Sequence, residues 1–281
     1  LVLVPGISRE SGGAKRWLYA FGFNYQPSEF VKIALIIYVA DFISRNARFL
    51  KEFWRGFVPP MLILGFVTLL VLLQPDLGTA ISFVVLVFMM MFVAGAKPQH
   101  IILTVISALP FLYLLVFSVP YRRARILTFL NPWLDPKGSG FQIIQSQIAL
   151  GSGGLFGAGL GQGKQKLFYL PAAHTDFIFS IIGEELGLLG AGFVILLFIF
   201  LIWNMSRIVY SVRDPFGKLI CIGVLTLIAF SAVVNIGVSI GSLPTKGLPL
   251  PFVSYGGSSL IFHMVAVGLL LNISKAEEVT L

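Results

Sequence analysis

Long apolar runs separated by short polar punctuation dominate this chain. A helix needs roughly 20 apolar residues to cross a bilayer. Six runs come close to that length, at 26–43, 57–74, 77–95, 100–118, 177–203 and 217–241, and a seventh extends from Val253 to Ile273. Alternation with a period of two is absent over these lengths, which argues against a membrane β-barrel. In lipid every backbone donor and acceptor needs an internal partner, and a helix supplies one. The pattern predicts an all-α, polytopic transmembrane helix bundle with one large extracellular loop, 119–176, between two helices. Residues 1–281 are expected to form a single membrane domain. Leu1-Val2-Leu3-Val4-Pro5-Gly6 reads as the last turn of a further hydrophobic helix, so the natural chain is expected to continue upstream.

Composition narrows the class. Of 281 residues 11% are charged, against about 25% in soluble domains. The hydrophobic fraction is 57% and the mean hydropathy +0.92. So few charges cannot cover a soluble protein of this length, and a soluble enzyme, a disordered tail and a coiled coil are excluded. The single cysteine, Cys221, rules out an internal disulfide or thiolate metal cluster and sits in an apolar run, where packing is the plain role.

Charge sets the orientation. Arg45, Arg48, Lys51 and Arg55 fall in the loop 44–56, Lys97 in the next short loop on that side, and Arg207, Arg213 and Lys218 in 204–218. Alternating helices bring these loops to one side, the cytoplasmic one by the positive-inside rule. The opposite side carries 1–25, the turn Gln74-Pro75-Asp76, the long loop and 242–252. It nevertheless holds ten Lys and Arg, among them Arg16, Arg122, Arg123, Arg125, Lys164, Lys166 and Lys246. A solvated basic loop is one reading. The sharper one is an outer-face anion site for a lipid with phosphate at its headgroup, which suits the net charge of +8 better than nucleic acid does.

Several motifs carry candidate chemistry, each beside a structural alternative. In Gln26-Pro27-Ser28-Glu29-Phe30-Val31-Lys32, Pro27 suits a first helical turn, and Lys32 either pairs with Glu29 or contacts substrate. Asp76 suits a helix cap more than catalysis. Pro120-Tyr121-Arg122-Arg123-Ala124-Arg125 supplies guanidinium forks that match phosphate oxygens. Residues 141–150 read as a short amphipathic helix suited to the membrane interface. The glycine-rich stretch 151–164 fits no P-loop, because Ala158 and Gln165 break the frame, and reads as a re-entrant loop whose N–H groups suit a phosphate. In Leu170-Pro171-Ala172-Ala173-His174-Thr175-Asp176-Phe177, Thr175 or Asp176 suits a helix cap; alternatively Asp176 is a general base, with His174 the other candidate. The segment from Leu243 to Ser259, with Lys246 and Ser254, breaks helix geometry at membrane depth, which is tolerated where backbone lines a cavity.

Together these motifs resemble the SEDS proteins of bacterial cell-wall synthesis, the FtsW, RodA and SpoVE group. The matching pieces are Gly13-Ala14-Lys15-Arg16-Trp17-Leu18, Gln26-Pro27-Ser28-Glu29 with Lys32, Gln74-Pro75-Asp76-Leu77-Gly78-Thr79, Tyr121-Arg122, Ala173-His174-Thr175-Asp176-Phe177, Gly183-Glu184-Glu185-Leu186-Gly187, and Pro249 to Gly257. Leu243-Pro244-Thr245-Lys246-Gly247 and Gln165 to Pro171 look more like the division type, FtsW or SpoVE, than RodA. The resemblance implies a ten-helix fold, with two helices and most of a third upstream of this sequence and 119–176 as a large extracellular loop. It implies an inverting peptidoglycan glycosyltransferase that polymerises lipid II into β-1,4 strands on the outer face of the cytoplasmic membrane, at the division septum. Asp176 stands at the family's essential aspartate and is the expected general base. Family members often carry Glu at the position of Ala172, so a second carboxylate is missing here. Arg16, Lys32, Arg122, Arg125, Lys166, His174, Lys246 and Ser254 are the expected contacts to lipid II and the undecaprenyl-pyrophosphate-linked glycan. A class B penicillin-binding transpeptidase and other divisome membrane proteins are the expected partners, and nucleic acid is not. No metal cage is legible; a divalent cation, Mg or Mn, bridging the phosphates and Asp176 is the one cofactor this chemistry invites. A lipid II flippase or transporter, and a non-catalytic activator of the transpeptidase, are the rival readings.

Overall fold

The computed structural model describes Val2 and residues 8–11, 14–20 and 23–279, with side chains for these except 8–11, 14–15, 20, 23, 121, 168–169 and 277–279. Apart from Val2, the expected helix turn at 1–6 lies outside the described residues. Three strands, β1 (Ser8–Ser11), β2 (Ala14–Ala20) and β3 (Phe23–Tyr25), precede nine α-helices among the described residues. These are α1 (Pro27–Arg45), α2 (Val58–Leu72), α3 (Leu77–Val93), α4 (Pro98–Phe117), α5 (Pro120–Leu130), α6 (Phe141–Ser152), α7 (Ile178–Ser211), α8 (Pro215–Ser239) and α9 (Gly257–Val279).

All seven apolar runs are helical. Among the described residues five helical stretches are long and apolar enough to cross a membrane: Phe53–Leu72, Pro98–Phe117, Ile178–Ser211, Pro215–Ser239 and Gly257–Ala276. α3 is shorter, at 17 residues, and α1 carries Glu29, Lys32, Asp41 and Arg45 along its length. Polar residues punctuate the helices as the pattern predicted. Pro27 occupies the first turn of α1. Asp76 caps α3, accepting from Thr79 N at 3.1 Å and Thr79 Oγ1 at 2.9 Å.

Three features depart from the sequence reading. β1, β2 and β3 form an antiparallel sheet in which Ser8 faces Leu18 and Leu18 faces Tyr25. Strands of 4, 7 and 3 residues are too short to register against runs of spanning length. α5, which the apolar runs did not predict, carries the arginine cluster on a helix opened by Pro120. α9 begins four residues beyond Val253, because 251–255 is wound into turns with Phe252 at φ 64°.

The chain divides into two compact units: Leu1–Leu103 with Ile202–Phe230 and Gly256–Leu281, and Thr104–Leu201 with Ser231–Tyr255. In the first, α8 lies close against α1 and α3, since a Cβ at Gly223 would stand 2.6 Å from Ile36 and 3.1 Å from Met90 Sδ. Small residues at such contacts let helices approach where lipid offers no hydrophobic drive. The core of the second is Phe179, Ala191, Phe198, Ala232 and Leu250. α6 joins this unit by burying Ile143, Ile144 and Ala149. Its Ser146 hydroxyl meets Ser180 Oγ at 2.6 Å and donates to Ser239 O at 2.7 Å.

Candidate active site around Asp176

The segment 171–177 is a coil of turns built on one carbonyl. Thr175 N, Asp176 N and Phe177 N all point at Ala172 O, at 3.1, 3.0 and 3.4 Å. Ala172 itself is left-handed, with φ 56°. For a residue with a Cβ that costs about 1–2 kcal/mol, so the surrounding bonds must over-determine the turn. Asn235 of α8, 1% exposed, donates through Nδ2 to Asp176 O at 3.0 Å and to Leu248 O at 2.8 Å. Ser254 Oγ accepts from Leu250 N at 2.8 Å and donates to Thr175 O at 2.6 Å. Tyr255 N donates to His174 O at 2.9 Å. The segments 171–177 and 242–255 are thus joined by two direct bonds and by the bridge through Asn235, all close to Asp176.

The Asp176 side chain is half-buried. Its Oδ2 lies 3.0 Å from where a Cβ of residue 247 would stand, and that residue is Gly247. Two residues earlier in the same loop, Thr245 O accepts from Arg125 Nη1 at 3.2 Å, which ties α5 to this loop. Arg125, His174, Asp176, Lys246 and Ser254 therefore sit on three linked segments of one unit. His174 is exposed; Arg125 and Lys246 are partly so.

The other expected residues are engaged elsewhere. Arg122 Nη1 donates to Leu115 O at 2.9 Å, back along the chain. Lys166 pairs with Glu185 at 2.6 Å. The glycine-rich stretch is held by the two glutamates of α7. Lys164 N and Gln165 N donate to the Glu184 carboxylate, at 2.7 Å for the first, and Gly161 N and Gly163 N donate to Glu185 at 3.0 and 3.3 Å. Those N–H groups, expected to suit a phosphate, already serve the protein's own carboxylates. α7 is broken at Gly187, φ 68°, and there Leu188 N reaches Gly154 O and Leu189 N reaches Leu155 O. Asp135, the acid earlier in the long loop, is held below the usual carboxylate range by the Ser139 backbone N–H and then its hydroxyl.

Arg16 and Lys32 belong to the first unit. Arg16 grips the turn before α3, donating to Gln74 O at 3.1 Å and Pro75 O at 2.6 Å, with Asp76 Oδ2 at 3.8 Å. Lys32 pairs with Glu29 at 2.6 Å, both side chains under 5% exposed. Removing one partner would leave the other as a buried unpaired charge, which costs about 3–5 kcal/mol. His263 of α9 is 1% exposed and within electrostatic range of both partners.

Asn235, Gly247 and His263 were missed in the sequence, which showed Glu184 and Glu185 as a motif without the N–H groups they hold. Asn235 had a usable signal: it is a lone amide inside the predicted span 217–241, and polar residues in such spans face protein rather than lipid. Gly247 had none, since its reason is a contact in space. Among the described residues no three His, Cys, Asp or Glu side chains converge as a metal site, so Asp176 offers a cation a single carboxylate.

The model of the cell cycle protein family FtsW/RodA/SpoVE matches residues 1–279, and the chain belongs to that family. It is 51% identical over 280 residues to the probable peptidoglycan glycosyltransferase FtsW of Geobacter metallireducens, covering 100% of this chain and 75% of that one. It is 47% identical over 275 residues to stage V sporulation protein E of Bacillus subtilis, covering 98% and 75%. Among solved structures it resembles a chain of a peptidoglycan synthase complex that coordinates polymerization and crosslinking, with TM-score 0.79, 31% identity, and 97% of this chain and 76% of that one covered. The rod shape determining protein RodA of Thermus thermophilus gives TM-score 0.64 at 28% identity, with 97% and 73% covered.

Proposed function

We propose that this protein is a peptidoglycan glycosyltransferase that polymerises lipid II on the outer face of the cytoplasmic membrane, with Asp176 as general base. The observation that carries the assignment of the base is the half-buried Asp176 carboxylate, on a main chain braced by Asn235 at Asp176 O and by Ser254 at Thr175 O and joined through the 242–255 loop to Arg125 and Lys246. The names of its relatives supply the reaction class.

The chemistry is a single displacement. The acceptor's 4-hydroxyl attacks the anomeric carbon of the donor sugar as the bond from that carbon to the pyrophosphate oxygen breaks. Undecaprenyl pyrophosphate leaves with the bonding pair, and the hydroxyl proton passes to Asp176. Attack from the face opposite the leaving group inverts the centre and gives the β-1,4 link. Arg125 and Lys246 stabilise the charge that grows on the pyrophosphate, with Arg122 and Lys166 as further cations of the same unit. His174 and Ser254 are the remaining candidate contacts. A positioned base contributes about 10²–10⁴-fold, and alignment of two membrane-bound substrates much of the rest. The membrane orientation that goes with this reading puts the loop from α1 to α2, Lys97 and the loop after α7 in the cytoplasm. A class B penicillin-binding transpeptidase crosslinks the product, and the division septum is the expected site.

The buried Glu29–Lys32 pair and the break at Gly187 are features a lipid flippase would also carry. Purified protein given labelled lipid II, with and without the transpeptidase, separates the readings. Glycan strands support the polymerase; lipid II moved across a vesicle bilayer without chain growth supports the flippase. Strands formed only by the partner reduce this protein to an activator.

A further inference from the structure

The connection from α1 to α2 is folded as a compact platform. Ala47–Phe49 forms a 3-10 turn and Phe53–Phe57 a π turn. Glu52 N donates to Phe49 O at 2.8 Å, while Gly56 N and Phe57 N both donate to Glu52 O at 3.1 and 3.2 Å. Gly56 is backed directly onto Phe49, whose carbonyl oxygen a Cβ at 56 would overlap. The chain thus doubles back on itself here, and what it presents outward is both aromatic and basic. Trp54 is 77% exposed, Phe53 42% and Phe49 37%. Arg48, Lys51 and Arg55 are exposed beside them. The Arg55 guanidinium lies over the Phe49 ring, 5.5 Å from its centroid. Phe53 and Phe57 stack at 5.9 Å beneath, which steadies the base of the platform.

Charge and depth identify the occupant. Arg45 is paired with Asp41 at 2.7 Å and is discounted. That leaves Arg48, Lys51 and Arg55 against Glu52. The apolar stretch from Phe53 to Leu72 begins on the platform, so Trp54 and Arg55 sit in its first turn. That is the level of lipid headgroups, where exposed indole rings and basic side chains concentrate. An aromatic surface partly sunk at the acyl boundary, with cations just above it, matches a molecule that is apolar below and anionic above. A purely acidic protein surface would match only the cations and leave Trp54 in water.

We propose that residues 48–55 bind an anionic phospholipid of the cytoplasmic leaflet, with Arg48, Lys51 and Arg55 on its phosphodiester and Phe53 and Trp54 against its glycerol and upper acyl region. The inference rests on the orientation given above for this loop and is independent of the polymerisation chemistry. Purified protein in nonionic detergent is titrated with dihexanoyl phosphatidylglycerol, dihexanoyl phosphatidylcholine and glycerol 3-phosphate, and bound lipid is counted by native mass spectrometry. Phosphatidylglycerol is expected to bind more tightly than phosphatidylcholine, with glycerol 3-phosphate a poor competitor. Each basic residue near a membrane surface is worth a few-fold in affinity, so R48Q/K51Q/R55Q weakens phosphatidylglycerol on the order of a hundredfold and leaves phosphatidylcholine unchanged. Raising the salt concentration weakens phosphatidylglycerol binding to the unaltered protein as well, an arm that needs no variant to fold. Equal affinity for the two lipids, undiminished binding to the triple variant, salt-independent binding, or effective competition by glycerol 3-phosphate would each overturn the proposal, the last by showing a free-phosphate site. None of these outcomes depends on whether glycan strands are made.

Discussion

Position 247 shows how far a single contact shapes the candidate site. Glycine leaves the Asp176 carboxylate room where it is, because a methyl there would stand 3.0 Å from Oδ2 and crowd it. Gly247→Ala is predicted to push the carboxylate aside. A displacement near 1 Å can cost about 100-fold in rate, so a shift of a few tenths of an ångström should lower chain growth by roughly a few-fold while the thermal midpoint hardly moves. Equal chain growth in the variant would contradict the role given to this contact. Asn235 is the opposite case. Its Nδ2 ties Asp176 O to Leu248 O inside the unit, and Asn235→Ala leaves both carbonyls without that donor. The expected loss is about 1–3 kcal/mol, read as a lower midpoint in thermal unfolding in detergent, together with weaker chain growth. At this scale the sequence displayed the charged and acidic candidates because they crowd into outer-side loops. It hid Asn235 and Gly247, because neither an amide in an apolar run nor a glycine in a loop reveals what it touches.

Elements built on apolar length were legible, and those built on local bonding were not. The seven hydrophobic runs became helices because lipid leaves the backbone no other way to satisfy itself. α5 escaped notice because it is short and rich in arginine, and the sheet of β1 to β3 because its strands are brief. The glycine-rich stretch was read as re-entrant chain with N–H groups open to a phosphate; instead Glu184 and Glu185 of α7 hold those groups. E184A/E185A removes the acceptors for Gly161, Gly163, Lys164 and Gln165 N–H and the partner of Lys166. Trypsin should then cut after Lys164 and Lys166 several-fold faster than in the unaltered protein. Unchanged cleavage would mean that the break at Gly187 and its contacts to Gly154 and Leu155 hold the stretch by themselves.

For the whole molecule, the fold class and the family were legible from hydropathy and motif order across nearly the entire chain. The division into two units was not, since helices such as α7 and α8 contribute residues to both. Arg16 and Lys32, read in sequence as substrate contacts beside Asp176, lie in the other unit and are bonded there to the turn at Gln74–Pro75 and to Glu29. Composition could not separate these roles, because a cation that holds a turn and one that holds a phosphate look the same along a chain. What unites the account is the claim that one braced carboxylate, at position 176, accepts the proton in glycan polymerisation. The most direct measurement is chain growth by Asp176→Asn on labelled lipid II, with thermal unfolding recorded alongside. The account predicts a folded protein with glycan strands reduced by at least about 100-fold, within the span a lost general base commands. Strands made at the unaltered rate by the folded variant would contradict it.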